Sequence, residues 1–132
     1  MNKTFSILAF SLAAAMLVIA HGTTGAQQGP QRKQYVYVLH LTQPMQVVRP
    51  WTEAETGVIA QHFTRLAKAA EAGKVILAGR TTESPDKTFG LVIFEAEDDE
   101  AARLFMESDP AIVAAIMTAT LHPYAVALQR KP

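Results

Sequence analysis

Two glycines, Gly73 and Gly79, bracket the short apolar run Val75-Ile76-Leu77-Ala78. So brief a run between two helix breakers leaves no room for a helix and reads as a strand. Thr81 to Lys87 is a turn, and Phe89-Gly90-Leu91-Val92-Ile93-Phe94-Glu95-Ala96 follows it as a strand close enough to form an antiparallel hairpin with the first. Whatever precedes and follows must pack against that hairpin.

On the N-terminal side, Tyr35 to Thr42 is dense in β-branched and aromatic residues and reads as a first strand, ended by Pro44. Thr52-x-x-Glu55 is a capping-box pattern. A long helix is expected from there, burying Ile59, Phe63, Leu66 and Ala70 and ending at Gly73 in the left-handed conformation. On the C-terminal side, Glu97 to Glu100 suits the positive end of a helix dipole. Ala101, Leu104 and Phe105 supply that second helix with a buried stripe, and Asp109-Pro110 stops it. Met117 to Leu128 reads as a last strand, with Pro123 confining it to a sheet edge or a bulge.

The order β-α-β-β-α-β is the ferredoxin-like split βαβ arrangement, an α+β fold with an antiparallel sheet. Two helices cover one face of such a sheet. Tyr35, Tyr37, Leu39 and Leu41 point one way in the first strand and Val36 and Val38 the other, and Leu91 to Phe94 is apolar on both sides. The second face therefore needs a partner. A second copy packed face to face gives a dimeric α+β barrel, so a homodimer is expected.

Met1 to Ala26 has the build of a secretory signal peptide: a positive start at Lys3, an apolar run from Phe5 to Ala20, and small residues after it. Cleavage is expected after Ala26, with Ala20 as a second candidate site. The apolar run is shorter than the roughly 20 residues of a membrane-spanning helix, so no stable membrane anchor is expected after cleavage. A periplasmic or secreted bacterial protein follows. Residues 27–33, rich in Gln, Gly and Pro, read as a flexible spacer, and residues 34–130 as one domain. Losing Lys3 leaves 11 basic against 12 acidic side chains, with no basic cluster, which argues against a nucleic-acid partner. With no cysteine, stability must come from packing.

His62 in the first helix and Asp109 at the Asp-Pro step are the candidate catalytic residues. Histidine is suited to proton transfer near neutral pH, and a carboxylate on one ring nitrogen fixes the other as base or acid. Both residues also have ordinary roles: a histidine beside the Ile59/Phe63/Leu66 stripe can be a core residue bonded to a carbonyl, and an aspartate before proline can cap a turn. Arg80, at the end of the second strand beside Gly79, is the candidate substrate-binding residue for a phenolate or carboxylate, the alternative being a solvated strand-end cation. The spacing of His40, His62 and His122 matches no ligand motif, so no metal is expected. Trp51 and Tyr124 read as packing residues. There is no phosphate-binding glycine loop, Gly-x-Ser-x-Gly or cysteine nucleophile, so nucleotide-dependent and acyl-enzyme chemistry are disfavoured and no cofactor is expected.

His62 in the first helix, Ala72-Gly73-Lys74-Val75-Ile76-Leu77-Ala78-Gly79, Gly90-Leu91-Val92-Ile93-Phe94-Glu95, Glu100-Ala101-Ala102-Arg103 and Asp109-Pro110 together resemble the YCII-related domain family over about residues 34 to 128. The resemblance implies a dimeric α+β barrel in which His62 and Asp109 line an active-site pocket. The chain departs from the family at Ala111, where a bulky residue commonly follows Asp-Pro, and at Arg80, where a proline often follows the glycine. The chemistry associated with the family is dehydrochlorination of a hydroxylated chloroaromatic. Two functional classes follow: a cofactor-free lyase or isomerase acting on a small aromatic or enolisable compound through the His/Asp pair, and an exported ligand-binding or stress-related module without catalysis. The cheapest discriminator is whether the His62 ring reaches Asp109 and opens on a cavity.

Overall fold

The computed structural model describes residues 32–130. The signal peptide assigned to residues 1–26 and most of the spacer lie outside the described residues. Among the described residues four strands and three α-helices run in the order β1 (Lys33–Leu41), α1 (Glu53–Glu71), β2 (Val75–Arg80), β3 (Phe89–Ala96), α2 (Asp99–Glu107), α3 (Pro110–Val113) and β4 (Met117–Tyr124), with a short 3-10 helix at Gln43–Met45 after β1. The strands form one antiparallel sheet in the order β2-β3-β1-β4, as the ferredoxin-like arrangement requires. Among the described residues no helix is long and apolar enough to cross a membrane.

Local chemistry sets the element ends. Thr52 accepts from the Glu55 amide and the Glu55 carboxylate accepts from the Thr52 amide, so the capping box forms in full at the start of α1. Arg49 pairs with the same carboxylate at 2.6 Å and ties the preceding loop to the helix. Gly73, with φ 73°, lets the chain leave α1 and enter β2 directly. β4 lies at the sheet edge, so Pro123 removes no bond to a further strand.

Tyr35, Tyr37 and Leu39 of β1, with Val92 and Phe94 of β3, face the helices and form the core with Leu66, Ala102 and Met106. The rings of Phe94 and Phe105 lie 4.8 Å apart, and Tyr37 meets Phe94 edge-on at 5.6 Å. On the opposite sheet face, Val36 is buried while Val38, Leu91 and Ile93 are half-buried and Leu77 is exposed.

Four sequence expectations are corrected. The first strand begins at Lys33, inside the expected spacer, because Lys33 pairs with Ala96. The last ends at Tyr124, four residues early, where its pairing with β1 stops at Gln34. In α2 the buried residues are Ala102 and Met106, whereas Leu104 is exposed. In α1 only Leu66 is buried; Phe63 is 71% exposed, because α1 stands away from β2 and β3 and leaves a cavity beneath its apolar stripe.

Candidate active site

The Asp-Pro step does more than stop a helix. α2 closes at Ser108, and Asp109 is the N-cap of α3, its Oδ1 accepting from the Ala111 amide at 3.0 Å, with Pro110 in the first helical position where its missing N–H costs nothing. That turn carries the Asp109 carboxylate inward until it is fully buried, the only buried charged residue among those described.

The carboxylate is met there by α1 and β1. His62 places Nδ1 2.7 Å from Asp109 Oδ1 and 2.9 Å from Oδ2, and the Tyr37 hydroxyl donates to Oδ2 at 3.1 Å. Arg65, one turn beyond His62, sets a guanidinium nitrogen 3.7 Å from Oδ2. The same guanidinium donates to the Phe105 carbonyl and the Ser108 hydroxyl and stacks 4.2 Å above the Phe105 ring, clipping α1 to α2. Burial opposes the charge on Asp109, but the bonds from His62, the Ala111 amide and Tyr37 outweigh it and hold the carboxyl below its usual range. The Tyr37 hydroxyl is pushed up, first by burial and then by the neighbouring Asp109 charge.

An ionised Asp109 can only accept, so the His62 nitrogen facing it is Nδ1–H. The nitrogen left for chemistry is Nε2. His62 lines a cavity of about 690 Å³ between α1 and the β2–β3 hairpin. Leu39, Leu66, Val75, Val92 and Met117 form its apolar walls, and Trp51 and Arg80 also line it. Gly90 keeps one wall thin, since a Cβ there would stand 3.3 Å from the Leu39 side chain.

Three sequence-expected site residues thus converge: His62 and Asp109 form a pair, and Arg80 lines the cavity on which the histidine opens. Trp51, read from sequence as a packing residue, is a cavity wall. His40 and His122 are exposed and line no part of the cavity; His40 lies near Phe89, and His122 is opposite Val36 on β4. Among the described residues no group of three or more metal-binding side chains comes together. Tyr37 and Arg65 were not singled out in the sequence. Arg65 had a signal, three residues from His62 on one helix face, and Tyr37 had the weaker one of a core-facing phenol that needs a hydrogen-bond partner.

The profile of the YCII-related domain matches residues 35–121. No curated protein matches the chain in sequence. Among solved structures, the 5-chloro-2-hydroxyhydroquinone dehydrochlorinase of Burkholderia phenoliruptrix AC1100, in complex with 2,5-dihydroxybenzoquinone, is similar at 20% identity and a TM-score of 0.44, covering 69% of this chain and 93% of that one.

Proposed function

The chain belongs to the YCII-related domain family, and from that premise and the buried pair we propose that it is a cofactor-free lyase or isomerase of small aromatic or enolisable compounds. The observation that carries the reading is the His62–Asp109 contact at 2.7 Å beside an apolar cavity. Nε2 of His62 takes a proton from an acidic C–H or O–H of the bound compound, and Asp109 stabilises the imidazolium that results. The electron pair left on the substrate has two outlets. It expels a leaving group as an anion, which is a lyase reaction, or it is reprotonated by the same imidazolium at another atom, which is an isomerase reaction. Arg80 steadies the negative charge that develops.

A non-catalytic ligand-binding module would need neither a fixed tautomer nor a free Nε2, so the pair's geometry favours the enzyme. Turnover of hydroxylated chloroaromatics and enol lactones is the test. His62→Gln and Asp109→Asn should each lower kcat/KM by about 100-fold or more, and the double variant should be no worse than the poorer single one. Activity retained in His62→Gln overturns the proposal.

The same proposal places the mature protein outside the cytoplasm after removal of residues 1–26, as a homodimer joined through the sheet face that bears Val38, Leu91 and Ile93. The apolar character of that face supports the second part. Light scattering should give twice the chain mass, and a stable monomer at micromolar concentration contradicts it.

A further inference from the structure

The cavity is far larger than a one-ring substrate needs. An apolar cavity of about 150 Å³ holds benzene, whereas this one measures about 690 Å³. Its charge is also one-sided. Among the described residues no aspartate or glutamate lines it, and Arg80 is the one permanently charged residue of its wall. Arg80 stands exposed at the end of β2, and its one polar contact among the described residues is a long 3.5 Å bond to the Thr81 carbonyl. A guanidinium carries five donors in a planar fork that matches a carboxylate or sulfonate, and nearly all of that capacity is unspent here.

The charged residues of the buried cluster, Asp109 and the Arg65 beside it, leave this one-sidedness intact. The Asp109 carboxylate is spent on His62, Tyr37 and Ala111, and neither it nor Arg65 lines the cavity. A ligand therefore meets an apolar chamber, the His62 ring, and an arginine with open donors.

We infer that the cavity takes an organic anion with an apolar body of two fused rings or an equivalent chain, its acid group on Arg80 and its body along Leu39, Leu66 and Val92. The inference rests on the proposed site but not on its chemistry. Exposed strand-end guanidinium and apolar chamber do different work: the first selects charge and the second selects size.

Isothermal titration of the full mature protein with 2-naphthoate, benzoate and 2-naphthylmethanol separates the two. One 2-naphthoate should bind per chain, about tenfold or more tighter than benzoate, because the second ring buries further apolar area. It should also bind about tenfold tighter than the neutral alcohol. Arg80→Met, a change at an exposed side chain, should erase the preference for acid over alcohol while leaving the alcohol's affinity within twofold. Benzoate binding as well as naphthoate overturns the size assignment. An acid-over-alcohol preference that survives in Arg80→Met overturns the charge assignment, and no binding of any of the three overturns both. His62→Gln should still bind 2-naphthoate within a few fold, so a failed proton-transfer reading and a failed ligand assignment give different results.

Discussion

Tyr37→Phe is the sharpest probe of how the site is held together. The substitution removes one hydroxyl and keeps the ring, so the edge-on packing on Phe94 at 5.6 Å and the contact with Phe105 at 6.4 Å survive. What is lost is a buried hydrogen bond to an ionised carboxylate. Such bonds contribute about 1.5–3 kcal/mol. At 3.1 Å this one is longer than the roughly 2.5–2.7 Å of strong hydroxyl–carboxylate bonds, and Asp109 keeps His62 and the Ala111 amide. The lower part of the range applies, about 1.5–2 kcal/mol, or roughly 6–16 °C in Tm for a domain of this size. The pH dependence has a definite sign. Because folding raises the Tyr37 pKa above the ordinary phenol value of 10.0, the phenol's contribution is fully present below that pH and is lost as the pH rises beyond it, when the unfolded chain ionises first. Denaturant unfolding of both proteins, repeated from neutral to alkaline pH, reads both effects. Wild type should lose stability more steeply than Tyr37→Phe above pH 10. A variant as stable as wild type at neutral pH, with the same alkaline slope, would refute the reasoning.

Asp109→Asn should cost about 2–4 kcal/mol, since it leaves His62 and Arg65 facing a neutral amide in a buried position. The carboxyl is held below the ordinary aspartate value of 3.8, so the gap between wild type and variant should be constant well above that pH and close as the pH falls below it; denaturant melts across the acid range check this. Thr52→Ala should destabilise by about 1 kcal/mol through loss of the capping box, measured by thermal unfolding. Ala115 holds φ 53° where the chain turns from α3 toward β4; Ala115→Gly relieves that left-handed strain and should stabilise by roughly 0.5–1 kcal/mol in the same assay. N-terminal sequencing of the mature protein should begin at Gln27, and an intact Met1 on a cytoplasmic form would contradict export.

Features written in local chemistry were legible in the sequence. The capping box at Thr52, the left-handed Gly73, both ends of β3 and the edge position of the Pro123 strand depend on a few neighbouring residues, and the structure shows all of them. The alternation of Tyr35, Tyr37 and Leu39 against Val36 and Val38 likewise separated the two faces of β1, and the structure puts the first set on the helix side. What was not legible depends on how closely elements approach. Phe63 and Ala70 have the spacing of core residues, yet they line a cavity, because periodicity gives the inward direction of a side chain and not the distance to what it faces. Leu104 lies two positions from both Ala102 and Met106, on the far side of a helix only nine residues long. His62 and Asp109 are each plausible alone, but Tyr37 and Arg65 join them only once β1, α1 and the α2–α3 turn have converged across 72 residues of chain.

The central claim is that Asp109 fixes the His62 tautomer and leaves Nε2 facing the cavity. Nitrogen-15 and proton NMR of the imidazoles, assigned with His62→Gln, tests it directly. In wild type, Nδ1 of His62 should carry the proton, with a downfield resonance protected from exchange, and that resonance should vanish in Asp109→Asn. A His62 protonated at Nε2 with a bare Nδ1, or a spectrum unchanged by Asp109→Asn, would contradict the account.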